Sequence, residues 1–183
     1  MDSKKELSAL IIIDMQRGFL EQGYPLYCGN EARRVIAPIR KLIERELKAG
    51  SGLFFTTDLH DPDDKEFEIF PAHCIRGSVE AQIIPELVGY TAAGIVIEKQ
   101  RYSAFFATDL EEHLTDLKPQ KLILCGVCTD ICVLHTAADA RNRDYPIEIF
   151  TDCVASFDQD AHRFALRHMK KILGVRISEK EKL

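Results

Sequence analysis

Apolar positions along the chain change period in a regular order. Residues 10–13 form a continuous apolar run rich in β-branched side chains, Leu-Ile-Ile-Ile, as expected for a strand buried on both faces of a sheet. From 30 to 49 the period becomes helical, with Val35, Ile36, Ile39, Leu42, Ile43 and Leu47 on one stripe. Pro38 predicts a kink there, or a helix that begins at it, and Gly50 and Gly52 stop the helix. Further strands are predicted at 53–57, 94–98, 121–127 and 147–151, with an edge strand at 175–177. Helices are predicted from Thr108, whose Thr-Asp-Leu-Glu111 reads as a capping box, at 130–142 and at 159–173. Segment 58–89 has no long period, and excursions of that length are usually functional. Repeated strand-helix-strand order predicts an α/β fold: three layers, with helices on both faces of a mostly parallel sheet. No internal repeat or domain boundary is visible, so 1–183 is expected to be one domain.

Composition narrows the function classes. Apolar residues make up 46% of the 183, enough for a full core, and the 29% charged residues are interspersed rather than in tracts. The net charge of -5 and the lack of a basic face speak against nucleic acid. Arg167-His-Met-Lys-Lys171 falls where a helix should end and complements its dipole. The polar lead-in of residues 1–6 and the short apolar run 9–13 make no signal peptide, and no stretch approaches the roughly 18 apolar residues of a membrane span. A cytoplasmic protein is expected. Its six cysteines are then thiols, ligands or nucleophiles rather than a disulfide framework.

In a parallel sheet, ligands bind beyond the carboxyl ends of the strands. Four strand ends here carry chemistry: Asp14, Asp58-Leu-His60, Glu98-Lys99, and Gly126-Val-Cys-Thr-Asp-Ile-Cys132. Cys132 falls in the first turn of a predicted helix, where amide N–H groups lower a thiol pKa and can hold an oxyanion. Cys128, nearer the strand end, competes for the nucleophile's role. Asp14 could take the thiol proton and return it to a leaving amine, and Lys99 could balance the negative charges.

At these segments the chain resembles a known family. Ile11-Ile-Ile-Asp-Met-Gln16, Glu98-Lys-Gln-Arg-Tyr-Ser-Ala-Phe105 and Gly126-Val-Cys-Thr-Asp-Ile-Cys-Val133 resemble the three signature segments of isochorismatase-like cysteine hydrolases. Thr136-Ala-Ala-Asp-Ala140 and Thr151-Asp-Cys153 fit the same pattern, and the likeness runs from about 8 to 175. The resemblance implies the Rossmann-like topology of that family and a catalytic triad of Asp14, Lys99 and Cys132, with Cys132 rather than Cys128 as nucleophile. It also implies a cis Val127–Cys128 peptide and an oxyanion hole built from the backbone amides of Cys128 and Cys132.

The nicotinamidase branch of that family carries a divalent metal in the excursion after the second strand. Its pattern there is Asp-x-His, then His or Glu, then His before Cys. The matching residues are Asp58, His60, Glu66 and His73, with Glu68 a competitor for Glu66. Such a donor set suits Zn, Mn or Fe. By motif position, Phe19, Phe70 and Tyr102 would wall a pyridine ring, although relatives often carry Trp where Phe70 stands. The implied reaction converts nicotinamide to nicotinate and ammonia through a thioester, a step of NAD salvage. Hydrolysis of another amide, ureido or carbamoyl substrate is the rival within the family. Isochorismatases proper lack the metal and the nucleophilic cysteine. A non-catalytic partner-binding domain is the rival from another class. Family analogy suggests a homo-oligomer.

Overall fold

The computed structural model describes residues 7–179, so the polar lead-in 1–6 lies outside it. Six parallel strands form one sheet: β1 (Ser8–Ile13), β2 (Gly52–Asp58), β3 (Ile95–Lys99), β4 (Lys121–Val127), β5 (Ile147–Ala155) and β6 (Arg176–Ser178). Their order is β3-β2-β1-β4-β5-β6. The chain runs outward from β1 through β2 to β3, then returns to β1's other side with β4. The order therefore reverses between β1 and β4, and a crevice opens beyond their carboxyl ends. This is the three-layer α/β architecture expected from the alternating pattern.

Every residue of β1 is buried. The period of two divides its side chains between faces. Leu10 and Ile12 join one core cluster, with Ile36, Ile39, Leu42 and Ile43 of helix α2 (Ile36–Ala49). Ala9, Ile11 and Ile13 join the other, with side chains of α4 (Leu110–Leu117), α5 (Leu134–Asn142) and α6 (Gln159–Ile172). Two short helices, α1 (Arg17–Leu20) and α3 (Pro85–Val88), complete the set.

Several boundaries differ from expectation. A 3₁₀ turn, Ala32–Val35, leads into α2, so Pro38 sits in the helix's first turn, where its missing N–H costs nothing. Gly50 caps α2 in the left-handed region at φ 77°, while Gly52 already belongs to β2. The capping box does not form. Leu110 N–H donates to Thr108 Oγ1, and Glu111 pairs instead with Arg143. β5 runs on to Ala155 across a register shift opposite Leu124–Gly126. At Gly126, φ is 113° and an added Cβ would lie 2.0 Å from Ile13 O, so only glycine fits beside β1.

Candidate active site

The site is assembled by strand ends. Asp14 follows β1 directly and adopts φ 50°, a left-handed conformation that turns the chain sharply at the strand's end. Thr56 of β2 fixes it twice: its hydroxyl accepts from Asp14 N–H at 3.1 Å and donates to Asp14 Oδ1 at 2.6 Å. Asp58 and Lys99 end neighbouring strands as register partners. Cys132 comes from the π-helical turn Thr129–Val133 that joins β4 to α5, just after the cis peptide at Val127–Cys128.

Lys99 is the hub. Its fully buried Nζ lies 2.8 Å from Asp14 Oδ2, 3.1 Å from Asp58 Oδ1 and 3.6 Å from Cys132 Sγ. Burial alone would lower the ammonium's pKa, but the Asp14 and Asp58 carboxylates outweigh it and hold the group well above its usual range. For Asp14 burial wins: its pKa is raised, with Lys99 pulling down and Asp58 pushing up. For Asp58 burial is overcome by Lys99, His60 and His73, which keep the carboxyl well below its usual range. Burial also lifts the Cys132 thiol well above a free cysteine, against the pull of Lys99. This reverses the expectation from its helix position. The turn's few amides do not offset burial near the Asp14 and Asp58 carboxylates, so the resting group is a thiol beside a carboxylate of raised basicity. Asp14 Oδ2 receives no well-directed hydrogen bond and is the oxygen left to take a proton.

Beyond Lys99, Asp58 faces two histidines. His60 Nε2 and His73 Nε2 lie 3.0 and 3.3 Å from Asp58 Oδ2. The other ring nitrogens meet acceptors: His60 Nδ1 is 3.0 Å from Asp64 Oδ2, and His73 Nδ1 is 2.8 Å from Pro71 O. A carbonyl can only accept, so His73 Nδ1 donates to Pro71 O, whereas His60 lies between two carboxylates and either of its ring nitrogens can donate. With a proton on each Nδ1, the two Nε2 atoms and Asp58 Oδ2 are three acceptors converging on one point. That is a cation's environment, and these three ligand atoms lie within 4.8 Å of one another. The donor set thus fits a divalent ion. Gln16 braces it: its side chain accepts from Asp58 N–H and donates to Asp58 O and Ala81 O.

Of the other expected ligand residues, Glu66 is buried and Glu68 exposed. Glu66 lies in the 3₁₀ turn Lys65–Glu68 and receives the Tyr102 hydroxyl, whose pKa burial and that carboxylate push up to about 12. It is not among the three converging acceptors. Asp64 caps the same turn by accepting Glu66 N–H at 2.9 Å. Against burial, that amide, His60 and Arg101 hold the Asp64 carboxyl down to about 2.

A pocket opens over these groups, with about 390 Å³ of empty space including its solvent-open mouth. Asp14, Cys132, Asp58, His73 and Glu66 line it, with the three expected aromatics Phe19, Phe70 and Tyr102. The Phe19 and Phe70 rings both meet the His73 ring edge-on. Cys128 lines the pocket too, but its sulfur lies 3.4 Å from Cys28 Sγ, whereas it is the Cys132 sulfur that lies near Lys99 Nζ. None of the six cysteines is in a disulfide.

Sequence reasoning missed Leu26, Ile131 and Phe157 in the lining, and Thr56, Gln16 and Asp64 as supports. Phe157 stands just past the carboxyl end of β5, where the strand-end rule could have found it. Thr56 carried no signal, and Gln16 only its place at the end of the Ile11–Gln16 segment, because their roles exist only across strands.

The chain is similar to known proteins over nearly its whole length. The isochorismatase domain matches residues 8–181. A pyrazinamidase/nicotinamidase structure from Streptococcus mutans is 36% identical at a TM-score of 0.89, covering 93% of this chain and 99% of that one. A nicotinamidase from Bacillus subtilis is 37% identical at a TM-score of 0.89, covering 94% and 99%. An N-carbamoylsarcosine amidase from Thermoplasma acidophilum is 31% identical at a TM-score of 0.87, covering 97% and 98%. With a matched domain that spans nearly the whole chain and a strand-end cluster of Asp14, Lys99 and Cys132, the protein belongs to the isochorismatase family and is one of its hydrolases, close to the amidohydrolases.

Proposed function

We propose that this chain is a single-domain, metal-dependent cysteine amidohydrolase whose substrate is nicotinamide. One observation carries the reading: a thiol and its acid line the same aromatic-walled pocket as Asp58 and His73 of the Asp-His-His set, with Lys99 and His60 buried against them. A primary carboxamide needs the first group, and a pyridine ring with a lone pair suits the second. The Bacillus and Streptococcus neighbours with nicotinamidase in their names support this choice of substrate.

The steps follow from the resting protonation. Cys132 begins as a thiol, so its proton passes to Asp14 as sulfur attacks the carboxamide carbon. Lys99 keeps the charge on both groups balanced throughout. The oxyanion is held by the backbone N–H groups of Cys128 and Cys132. Asp14 then protonates the departing ammonia, leaving a Cys132 thioester and an Asp14 carboxylate. That carboxylate takes a proton from water as its oxygen attacks the thioester carbon; the carbon–sulfur bond breaks, Asp14 returns the proton to the Cys132 sulfur, and nicotinic acid leaves and ionises to nicotinate. Asp58, His60 and His73 would hold a divalent ion, with Glu66 a fourth donor from the pocket wall. Such an ion, when bound, would hold the pyridine nitrogen and fix the ring. Phe19, Phe70 and Tyr102 supply apolar walls for that ring and limit water around it.

The test is ammonia release from nicotinamide by the purified protein, before and after chelator treatment and with Zn, Mn or Fe added back. Fast release that needs the ion is expected. No release from metal-loaded protein would move the substrate to a ring-free carbamoyl compound, in keeping with the N-carbamoylsarcosine amidase neighbour. Replacing His73 with alanine removes one of the three acceptors. This variant should bind metal at well below one equivalent and show a raised KM for pyridine amides. Unchanged metal content by elemental analysis would sink the ligand set.

A further inference from the structure

Three aspartates follow His60 in the excursion, and one behaves unlike the others. Asp61 and Asp63 are exposed, whereas the Asp64 side chain is only 4% exposed. Its two oxygens do separate work. Oδ2 faces His60 Nδ1 at 3.0 Å, and Oδ1 accepts Glu66 N–H at 2.9 Å. Arg101, two residues past Lys99, reaches both oxygens from the other side, at 3.0 and 3.1 Å.

We propose that Asp64 is the positioning residue of the Asp58–His60–His73 centre: it sets the His60 tautomer and the Glu66 turn together, with Arg101 pinning it. The inference rests on the metal reading given above. An ionised carboxylate can only accept, so Asp64 holds a ring proton on Nδ1, the arrangement in which Nε2 can give its lone pair to a cation beside Asp58. Without Asp64 the ring is free to turn the proton over to Nε2. It would then donate to Asp58 Oδ2, 3.0 Å away, and that hydrogen bond would occupy the two atoms a metal needs. Asp64 opposes this competitor by offering the ring proton an acceptor on the other side. The cap on Glu66 N–H adds a second effect, because the same carboxylate keeps the Glu66 turn against the pocket wall.

The isosteric variant Asp64→Asn separates these roles. Its carbonyl oxygen can still cap Glu66 N–H, but its NH₂ then faces His60 Nδ1 and donates to it, which drives the proton to Nε2. Metal-free wild type, Asp64→Asn and Asp64→Ala would be titrated with Co²⁺ by calorimetry, alongside thermal unfolding of each without metal. Wild type should take up one ion. Asp64→Asn should bind about tenfold or more weaker, the usual cost of losing a metal ligand's outer partner, with its metal-free melting temperature unchanged. Asp64→Ala should bind at least as weakly. Binding by Asp64→Asn within about twofold of wild type would overturn the inference while leaving the metal site standing. So would a loss of affinity matched by a fall in the metal-free melting temperature, because the role would then be structural. A wild type that takes up no Co²⁺ would overturn the metal reading and this inference with it.

Discussion

Replacing Cys132 with alanine should lower turnover of nicotinamide by at least about a thousandfold, because no other group can form the acyl intermediate. Cys132 lines the pocket at 8% exposure, so losing its sulfur leaves little new cavity and the fold should survive. The expected stability loss is about 1 kcal/mol, the ordinary cost of a single substitution. Steady-state ammonia release and a thermal melt would check both halves. Cys128→Ala is the matching control. The proposed role of Cys128 runs through its backbone N–H, which alanine keeps, and its sulfur touches Cys28 rather than Lys99. It should keep activity within about tenfold of wild type, since its side chain makes no contact that strengthens in the transition state. A dead Cys128→Ala beside an active Cys132→Ala would reverse the nucleophile assignment.

Lys99→Met should be the most destabilising change in the site. The ammonium sits fully buried between the Asp14 and Asp58 carboxylates. Taking away one partner of a buried ion pair costs about 3–5 kcal/mol, because the charge left behind has neither water nor a counterion. The deficit should depend on pH, with a definite sign. Burial and Asp58 already raise Asp14 above 3.8, and Lys99 is what pulls it down. Without Lys99 the folded-state value rises further. A raised carboxyl contributes its stability below the unfolded value and loses it as pH climbs through the folded value. The variant should therefore come closest to wild type in acid and fall furthest behind at neutral pH. Denaturant melts across pH 4–8 would show this, and a pH-independent gap would contradict the charge argument. Activity should be lost as well, since thiolate and carboxylate would meet uncompensated.

The two experiments read different halves of one design. Cys132 stores reactivity as a thiol, kept neutral by burial, and Asp14 and Lys99 supply a place for its proton and charge. Asp58 ties this half to the histidines, offering Oδ1 to Lys99 and Oδ2 to His60 and His73. Removing Lys99 should therefore also disturb the Asp-His-His set, whereas Cys132→Ala should leave metal uptake unchanged.

Local signals were enough for the architecture. The run at β1, the helical stripe of α2 and the alternation of strand and helix are periodicities of 2 and 3.6, and such patterns are written residue by residue. They led to a parallel sheet with helices on both faces, and the strand-end rule then drew Asp14, Asp58, Lys99 and Cys132 to one edge. What the pattern could not carry was anything that depends on distance between strands. The strand order decides that β1 lies between β2 and β4, and so that Thr56 reaches Asp14 and Lys99 reaches two carboxylates at once. The raised Cys132 thiol also ran against its helix position, because desolvation is a property of everything packed around a group rather than of its place in the chain. In the excursion, spacing marked Asp58, His60 and His73 but gave Asp64 no distinction from Asp61 or Asp63. Only packing against Arg101 and His60 buries one acid of the three. Sequence thus named most of the chemically able residues, since a side chain's type is local. Their protonation and partners came from the fold, since hydrogen bonds and dielectric are set by neighbours distant in the chain.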